Sequence, residues 1–211
     1  MKRTFVQIAA VLLLLSAPSL ASAQVVPGGL TGGIKGGITF GDIPEFARVL
    51  EDDGAETGMR MGFLFGGFVS MSFDDVFGLQ VEGLYTQKGL SYEFETDEFE
   101  YRFDYIEIPV LFRIQTAPNR GVYALVGPAF GFNINAKAVS ESAPDDVQDS
   151  VDISDEVAGL EISFVAAVGF QVNRFLVEGR YMEGLTNLID SDPDAATYKS
   201  RTFAILAGFR F

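Results

Sequence analysis

The residues that could do chemistry in this chain of 211 are ionisable side chains set among apolar neighbours. They are Lys35, Glu82, Lys88, Glu107, Arg113, Glu178, Arg180 and Arg210. Two carboxylates such as Glu82 and Glu107 could share general acid and base roles if they met. The sequence contains no His and no Cys. That removes the Ser-His and Cys-His constellations of nucleophilic catalysis and the commonest ligands of transition metals. The opposite charges read better as structural pairs. A symmetric turn after residue 94 would set Lys88 diagonal to Glu107 and Arg113 diagonal to Glu82. A similar count in the last hairpin sets Glu178 opposite Arg210. Cross-strand pairs of this kind stabilise sheets, and unpaired charges in a narrow interior are costly. The expectation is a structural charge cluster with no catalytic residue, no metal site and no cofactor.

Other motifs carry less. Asp190, Asp192 and Asp194 resemble the start of a calcium loop, but position six is Ala195 and position twelve is Arg201, so the pattern fails. The segment from Glu141 to Glu156 holds seven acids and no base and reads as solvated loop. The glycines at 32, 33, 36 and 37 match no phosphate-loop spacing. The net charge is −14, which argues against nucleic acid as a partner.

The elements that must position these residues are strands. Apolar and polar residues alternate with period two. Phe203, Ile205, Ala207, Phe209 and Phe211 fall on one face of the last segment, and Thr202, Ala204, Leu206, Gly208 and Arg210 fall on the other. The same reading predicts eight strands at about 29–40, 59–73, 78–94, 99–115, 121–138, 156–172, 175–189 and 198–211. Most exceed the roughly 9–11 residues a tilted strand needs to cross a bilayer. Short turns at 74–77, 116–120 and Asn173-Arg174 alternate with longer acidic connections at 41–58, 95–98, 139–155 and 190–197. Asn173 suits a hairpin position with positive φ. The first long connection can hold a helical turn with Asp42 as N-cap, Pro44 early and Glu45 completing the capping box.

The two strand faces differ in chemistry. One is rich in Phe, Ile and Val, and the other carries the mid-strand charges. A soluble lipocalin-like barrel would have its charges outside; here the arrangement is inverted, which fits lipid outside and a salt-bridged interior. Despite the charge, mean hydropathy is +0.22. The N-terminus has Lys2 and Arg3, an apolar run from Ile8 to Leu15, and Ala21-Ser22-Ala23. This reads as a Sec-type signal peptide over 1–23, cleaved between Ala23 and Gln24, followed by one domain over 24–211. Phe211, aromatic and outward on the last strand, fits the signal by which barrel-assembly machinery recognises its clients. The predicted fold is all-β: an eight-stranded antiparallel up-and-down transmembrane β-barrel.

Several motifs, taken in order, resemble a known family. They are Gly32-Gly33-Ile34-Lys35-Gly36-Gly37, Tyr85-Thr86-Gln87-Lys88-Gly89-Leu90, Tyr105-Ile106-Glu107-Ile108-Pro109-Val110-Leu111, Gly127-Pro128-Ala129-Phe130-Gly131, Arg180-Tyr181-Met182-Glu183-Gly184-Leu185-Thr186-Asn187-Leu188 and the final Gly208-Phe209-Arg210-Phe211. The chain resembles the PorT-like outer-membrane β-barrel domain family, small barrels of OmpA/OmpX type found in Bacteroidetes and relatives. The resemblance implies an integral outer-membrane protein and no one shared activity; some members are linked to type IX secretion or gliding. The expected role is structural or surface-interacting. The expected partners are outer-membrane lipid, the assembly machinery and an unidentified surface or secretion-system protein, with the chain a monomer. The alternatives are a small pore or passage for ions or lipophilic ligands, and a soluble periplasmic lipocalin-like binding barrel.

Overall fold

The structure, a computed structural model, describes residues 29–52, 54–94, 97–117, 120–142, 147–154, 157–188 and 198–211. The expected signal peptide and cleavage site, Ala23 and Gln24, lie outside these residues, as do Asp190, Asp192 and Asp194.

Alternation becomes strand throughout. The elements are β1 (Leu30–Asp42), α1 (Pro44–Asp52), β2 (Glu56–Ser72), β3 (Phe77–Phe94), β4 (Asp97–Gln115), β5 (Arg120–Ser142), β6 (Val147–Asp152), β7 (Leu160–Val172), β8 (Phe175–Gly184) and β9 (Arg201–Arg210). Each barrel strand pairs antiparallel with its neighbours in the order β4-β3-β2-β1-β9-β8-β7-β5, and pairing of β4 with β5 closes the ring. Eight strands thus form a closed barrel without an edge, the arrangement that leaves no backbone group unpaired in lipid. No described helix is long and apolar enough to cross a membrane; the crossing is made by strands.

Turn chemistry fixes one end. Asp74 Oδ1 accepts the backbone N–H groups of Val76 and Phe77, each at 2.7 Å, closing the β2–β3 turn. Asn173 has φ of 53°, the one positive φ of a non-glycine among the described residues, as the two-residue β7–β8 turn requires.

The other end departs from expectation in four places. First, β3 and β4 are paired up to Phe94 and Asp97, so the connection there is short rather than long and the hairpin itself is extended. Second, the segment expected to be loop over 139–155 contains β6, which pairs with the upper part of β5 from Lys137↔Asp152 to Ser142↔Val147. β6 is a ninth strand of the sheet but not a stave of the barrel. Third, α1 begins at Pro44, and Ala47 N donates to Ile43 O at 2.9 Å. Ile43 therefore holds the cap position, while Asp42 remains in β1 opposite Arg201; the strand ladder outcompetes the capping box. Fourth, β8 ends at Gly184, five residues earlier than expected. Past that point Gly184 N donates to Ser200 O, and Leu188 N to Tyr198 O.

The outward face is apolar. Ile34, Phe65, Val69, Val126, Phe130, Val168, Phe170 and Ile205 are all exposed on it. A water-soluble surface does not carry a continuous apolar belt of this extent. The inward face mixes charge with a hydrophobic core of Leu64, Phe68, Leu84, Leu111, Leu125, Val165, Met182 and Leu206, a filling expected of so narrow a barrel.

Candidate functional site

The inward residues of β3, read upward from the short turn, trace the lumen: Gln80, Glu82, Leu84, Thr86, Lys88 and Leu90, every one buried. Each polar member sits at the centre of a layer of partners from other strands.

The lowest layer is built on Arg113. Its Nε donates to Gln115 Oε1 at 3.0 Å, Nη1 to Gln80 Oε1 at 3.1 Å and Nη2 to Gln171 Oε1 at 2.9 Å. The guanidinium carbon lies 4.0 Å from the centre of the Tyr123 ring. All three hydrogen-bond partners are neutral amides. The expected Arg113–Glu82 pair does not form, because Glu82 is engaged from the far side of the barrel. Tyr123 can lie there because position 169 is glycine: a Cβ on Gly169 would fall 2.3 Å from Tyr123 Cζ.

The middle layer joins four charges. Lys35 Nζ lies 2.7 Å from Glu82 Oε1 and 3.1 Å from Glu178 Oε2. Arg180 reaches Glu82 with Nη1 to Oε2 at 2.8 Å and Nη2 to Oε1 at 2.9 Å. Its Nε donates to Glu178 Oε1 at 2.8 Å. Tyr123 O–H donates to Glu178 Oε2 at 3.0 Å, and Gln80 Nε2 donates to Glu82 Oε1 at 2.6 Å. Two cations and two anions balance. The register sets Glu178 opposite Leu206 rather than Arg210, in an unbroken ladder from Phe175↔Phe209 to Glu183↔Arg201; Glu178 turns into the lumen to Lys35 and Arg180.

The upper layer is centred on Lys88, whose Nζ lies 2.8 Å from Glu107 Oε1 and 3.1 Å from Glu161 Oε2. Lys88 faces Phe103 across the β3–β4 ladder, and Glu107 faces Leu84; the long lysine stem bridges the offset. Thr86 Oγ1 donates to Glu107 Oε2 at 2.7 Å, and Ser200 Oγ donates to Glu161 Oε1. Glu161 and the three glutamines are the members that the charge pattern alone did not single out. Their inward positions followed from alternation, but their shared depth did not.

Outside the barrel wall, Glu183, the one acid that breaks the apolar alternation of β8, lies 3.5 Å from Arg201 and accepts a hydrogen bond from Tyr181 O–H. Phe211 is exposed, its ring centre 5.9 Å from that of Phe209, and its N–H donates to Gly32 O at 2.9 Å.

Above the upper layer the interior turns apolar. Ile43, Ala47, Leu90, Phe103, Ala136, Val157 and Leu188 form a separate core. Phe46 of α1 meets Tyr101 and Tyr198 edge to face, with ring centres 5.4 and 5.5 Å apart. These residues enclose a cup of about 190 Å³ lined by Phe46, Tyr101, Phe103, Val157, Leu188 and Tyr198, among others. Beyond it, Asp152 Oδ1 accepts the Ser154 N–H at 2.9 Å, and that bond holds its carboxyl below the usual range. Among the described residues no group of His, Cys, Asp or Glu is arranged to hold a metal ion.

The family model described as outer membrane protein beta-barrel domain matches residues 22–190. No curated protein matches the chain in sequence. Several solved structures resemble it in fold. The attachment invasion locus protein Ail of Yersinia pestis is 16% identical with a TM-score of 0.43, covering 88% of this chain and 100% of that one. Neisserial surface protein A is 10% identical with a TM-score of 0.43, covering 86% and 97%. OprG from Pseudomonas aeruginosa is 10% identical with a TM-score of 0.40, covering 87% and 97%.

Proposed function

The chain belongs to the outer membrane protein β-barrel domain family, and on that premise we propose that it is a plugged, non-conducting barrel whose work is done at its outer surface. It is an integral outer-membrane β-barrel, with the short turns on the periplasmic side and the long connections outside. The observation that carries the proposal is the stacking of the three lumenal layers. Arg113, the Lys35–Glu82–Arg180–Glu178 network and Lys88 with its two glutamates succeed one another along the axis, interleaved with leucines. Every cation in them is held by hydrogen bonds or ion pairs to at least one other strand of the wall. A hydrated ion would have to displace bonds that are paired within a closed interior, at a penalty of several kcal/mol per separated buried charge.

Within the family we read the chain as PorT-like, on the order of its glycine, Tyr85–Leu90 and Tyr105–Leu111 motifs. No enzymatic role is proposed. The lumenal carboxylates are occupied as structural acceptors, and the sequence offers no His or Cys as a base or nucleophile. Lipid and the barrel-assembly machinery are the proposed partners, with Phe211 as the assembly signal. The barrel is proposed to be a monomer.

Planar-bilayer recording of purified, refolded protein tests the proposal. The expected trace is flat. Steady single-channel steps, reproduced across preparations and abolished by heat denaturation, would replace the plug with a pore.

A further inference from the structure

We propose that the outer cup is a binding site for a small, uncharged aromatic molecule taken from the external medium. The inference rests on the outer-membrane reading for which end of the barrel faces outside, and on the cup itself for the rest.

The size of the cup sets the class of ligand. Its volume is about 190 Å³. An apolar cavity of about 150 Å³ takes up one benzene, so this one accommodates a single or fused ring and little more. Drug-sized ligands need pockets of roughly 300 Å³ and upward. The walls set the chemistry. Phe46, Tyr101 and Tyr198 already meet edge to face, and Phe103 adds a fourth ring from β4. A ring entering among them finds the edge and face contacts that aromatic pairs favour. Ile43, Ile153, Val157 and Leu188 supply the aliphatic remainder, and among the described residues no charged side chain lines the cup.

Charge excludes the anionic members of the class. Glu45, Glu51, Glu93 and Asp152 are exposed on the same end of the barrel, within a chain of net charge −14. A carboxylate would be repelled on approach and would lose its hydration in an apolar cup. The floor closes the site from below. Leu90 and Ala136 are fully buried beneath it, and the Lys88–Glu107–Glu161 layer follows. The cup is therefore a dead end, which fits capture rather than passage.

Binding of indole to the barrel in lipid nanodiscs, measured by saturation-transfer NMR against protein-free nanodiscs, tests this. Saturable binding is expected, with indole-3-carboxylate about tenfold weaker or worse. Val157→Phe fills the cup and should abolish binding while the barrel keeps its heat-modifiable gel shift. Should that variant fail to fold, Tyr198→Cys gives a second reading, since the chain has no other cysteine. In intact cells a membrane-impermeant maleimide should label it, and indole should slow that labelling several-fold but not the labelling of Val151→Cys. No saturable binding, equal affinity for the carboxylate, or binding unchanged in folded Val157→Phe would overturn the site. Binding in nanodiscs without labelling of Tyr198→Cys in cells would instead overturn the outward orientation and the external access claimed here.

Discussion

Arg180 and Glu82, 98 residues apart in sequence, face each other across the lumen through two parallel hydrogen bonds of 2.8 and 2.9 Å. Each is also bound to a further partner of opposite charge, Arg180 to Glu178 and Glu82 to Lys35. The fork geometry makes Arg180 the organising member. Arg180→Met leaves two buried glutamates to one lysine and should destabilise the barrel by about 3–5 kcal/mol. Adding Glu178→Gln restores the balance of charge and should recover a large part of that loss. The midpoint of urea unfolding, followed by the heat-modifiable gel band because the chain has no Trp, reads both. Equal midpoints for the single and double variants would mean that charge balance is not what the network supplies.

Arg113 sits among three glutamines and a tyrosine ring. Arg113→Lys keeps the charge but loses the fork, and it should cost about 1.5–3 kcal/mol, the range for hydrogen bonds to charged groups. Arg113→Ala vacates the lowest layer and should raise bilayer conductance above the wild-type baseline. An unchanged baseline would place the seal in the upper layers alone.

Tyr123 links the lower and middle layers, with Arg113 on its ring and Glu178 on its hydroxyl. Tyr123→Phe should cost about 1.5–3 kcal/mol through the lost bond to a charged acceptor. Gly169→Ala should be more severe, since the added Cβ would lie 2.3 Å from the Tyr123 ring and displace both contacts at once. Urea midpoints of the two variants decide the ranking.

The charge partners of these residues show where sequence stops being legible. Period two was enough to aim Lys35, Glu82, Glu178 and Arg180 inward and Ile205 and Phe203 outward, because a pleated strand allows only two faces. It was not enough to set axial depth. Depth follows from the shear of the closed barrel and from register shifts at Met59/Leu64 and Asp104/Tyr105. Glu178 was thus matched to Arg210 when its ladder partner is Leu206. β6 was missed because Val147 to Asp152 is acidic and has only two apolar residues, both valines, too few to show an alternation; it is held by its pairing with β5. The aromatic cup was illegible for a different reason. Phe46, Tyr101, Phe103 and Tyr198 come from three separate stretches, joined only when α1 folds over the barrel mouth.

The outward face should respond to charge as lipid does. Ile205 is exposed on β9 opposite Ile38 of β1, and Ile205→Arg should cost about 2–4 kcal/mol near the bilayer midplane. Leu185→Arg, beyond the end of β8, should cost much less. Folding titrations in lipid vesicles measure both, and equal penalties would argue against a membrane belt at this height.

Phe211 is expected to act before the barrel is folded. Phe211→Ser should slow assembly and leave protein in the periplasm, whereas Ile205→Ser, another outward apolar loss on the same strand, should not. Pulse-chase fractionation separates the two, and matching defects would reduce Phe211 to one more lipid contact.

β5 has 23 residues, while β8 and β9 have 10 each. Its pairing with β7 ends at Phe132, and the stretch above, at about 3.4 Å per residue, adds roughly 30 Å of strand. β3, β4 and β6 rise beside it, and among the described residues no strand of comparable length stands on the side of β8 and β9. The barrel therefore has a front and a back. On the outward orientation proposed above, anything arriving at the mouth over β3–β6 meets a standing palisade, so the direction of arrival, and not only the chemistry of the surface, decides what reaches it.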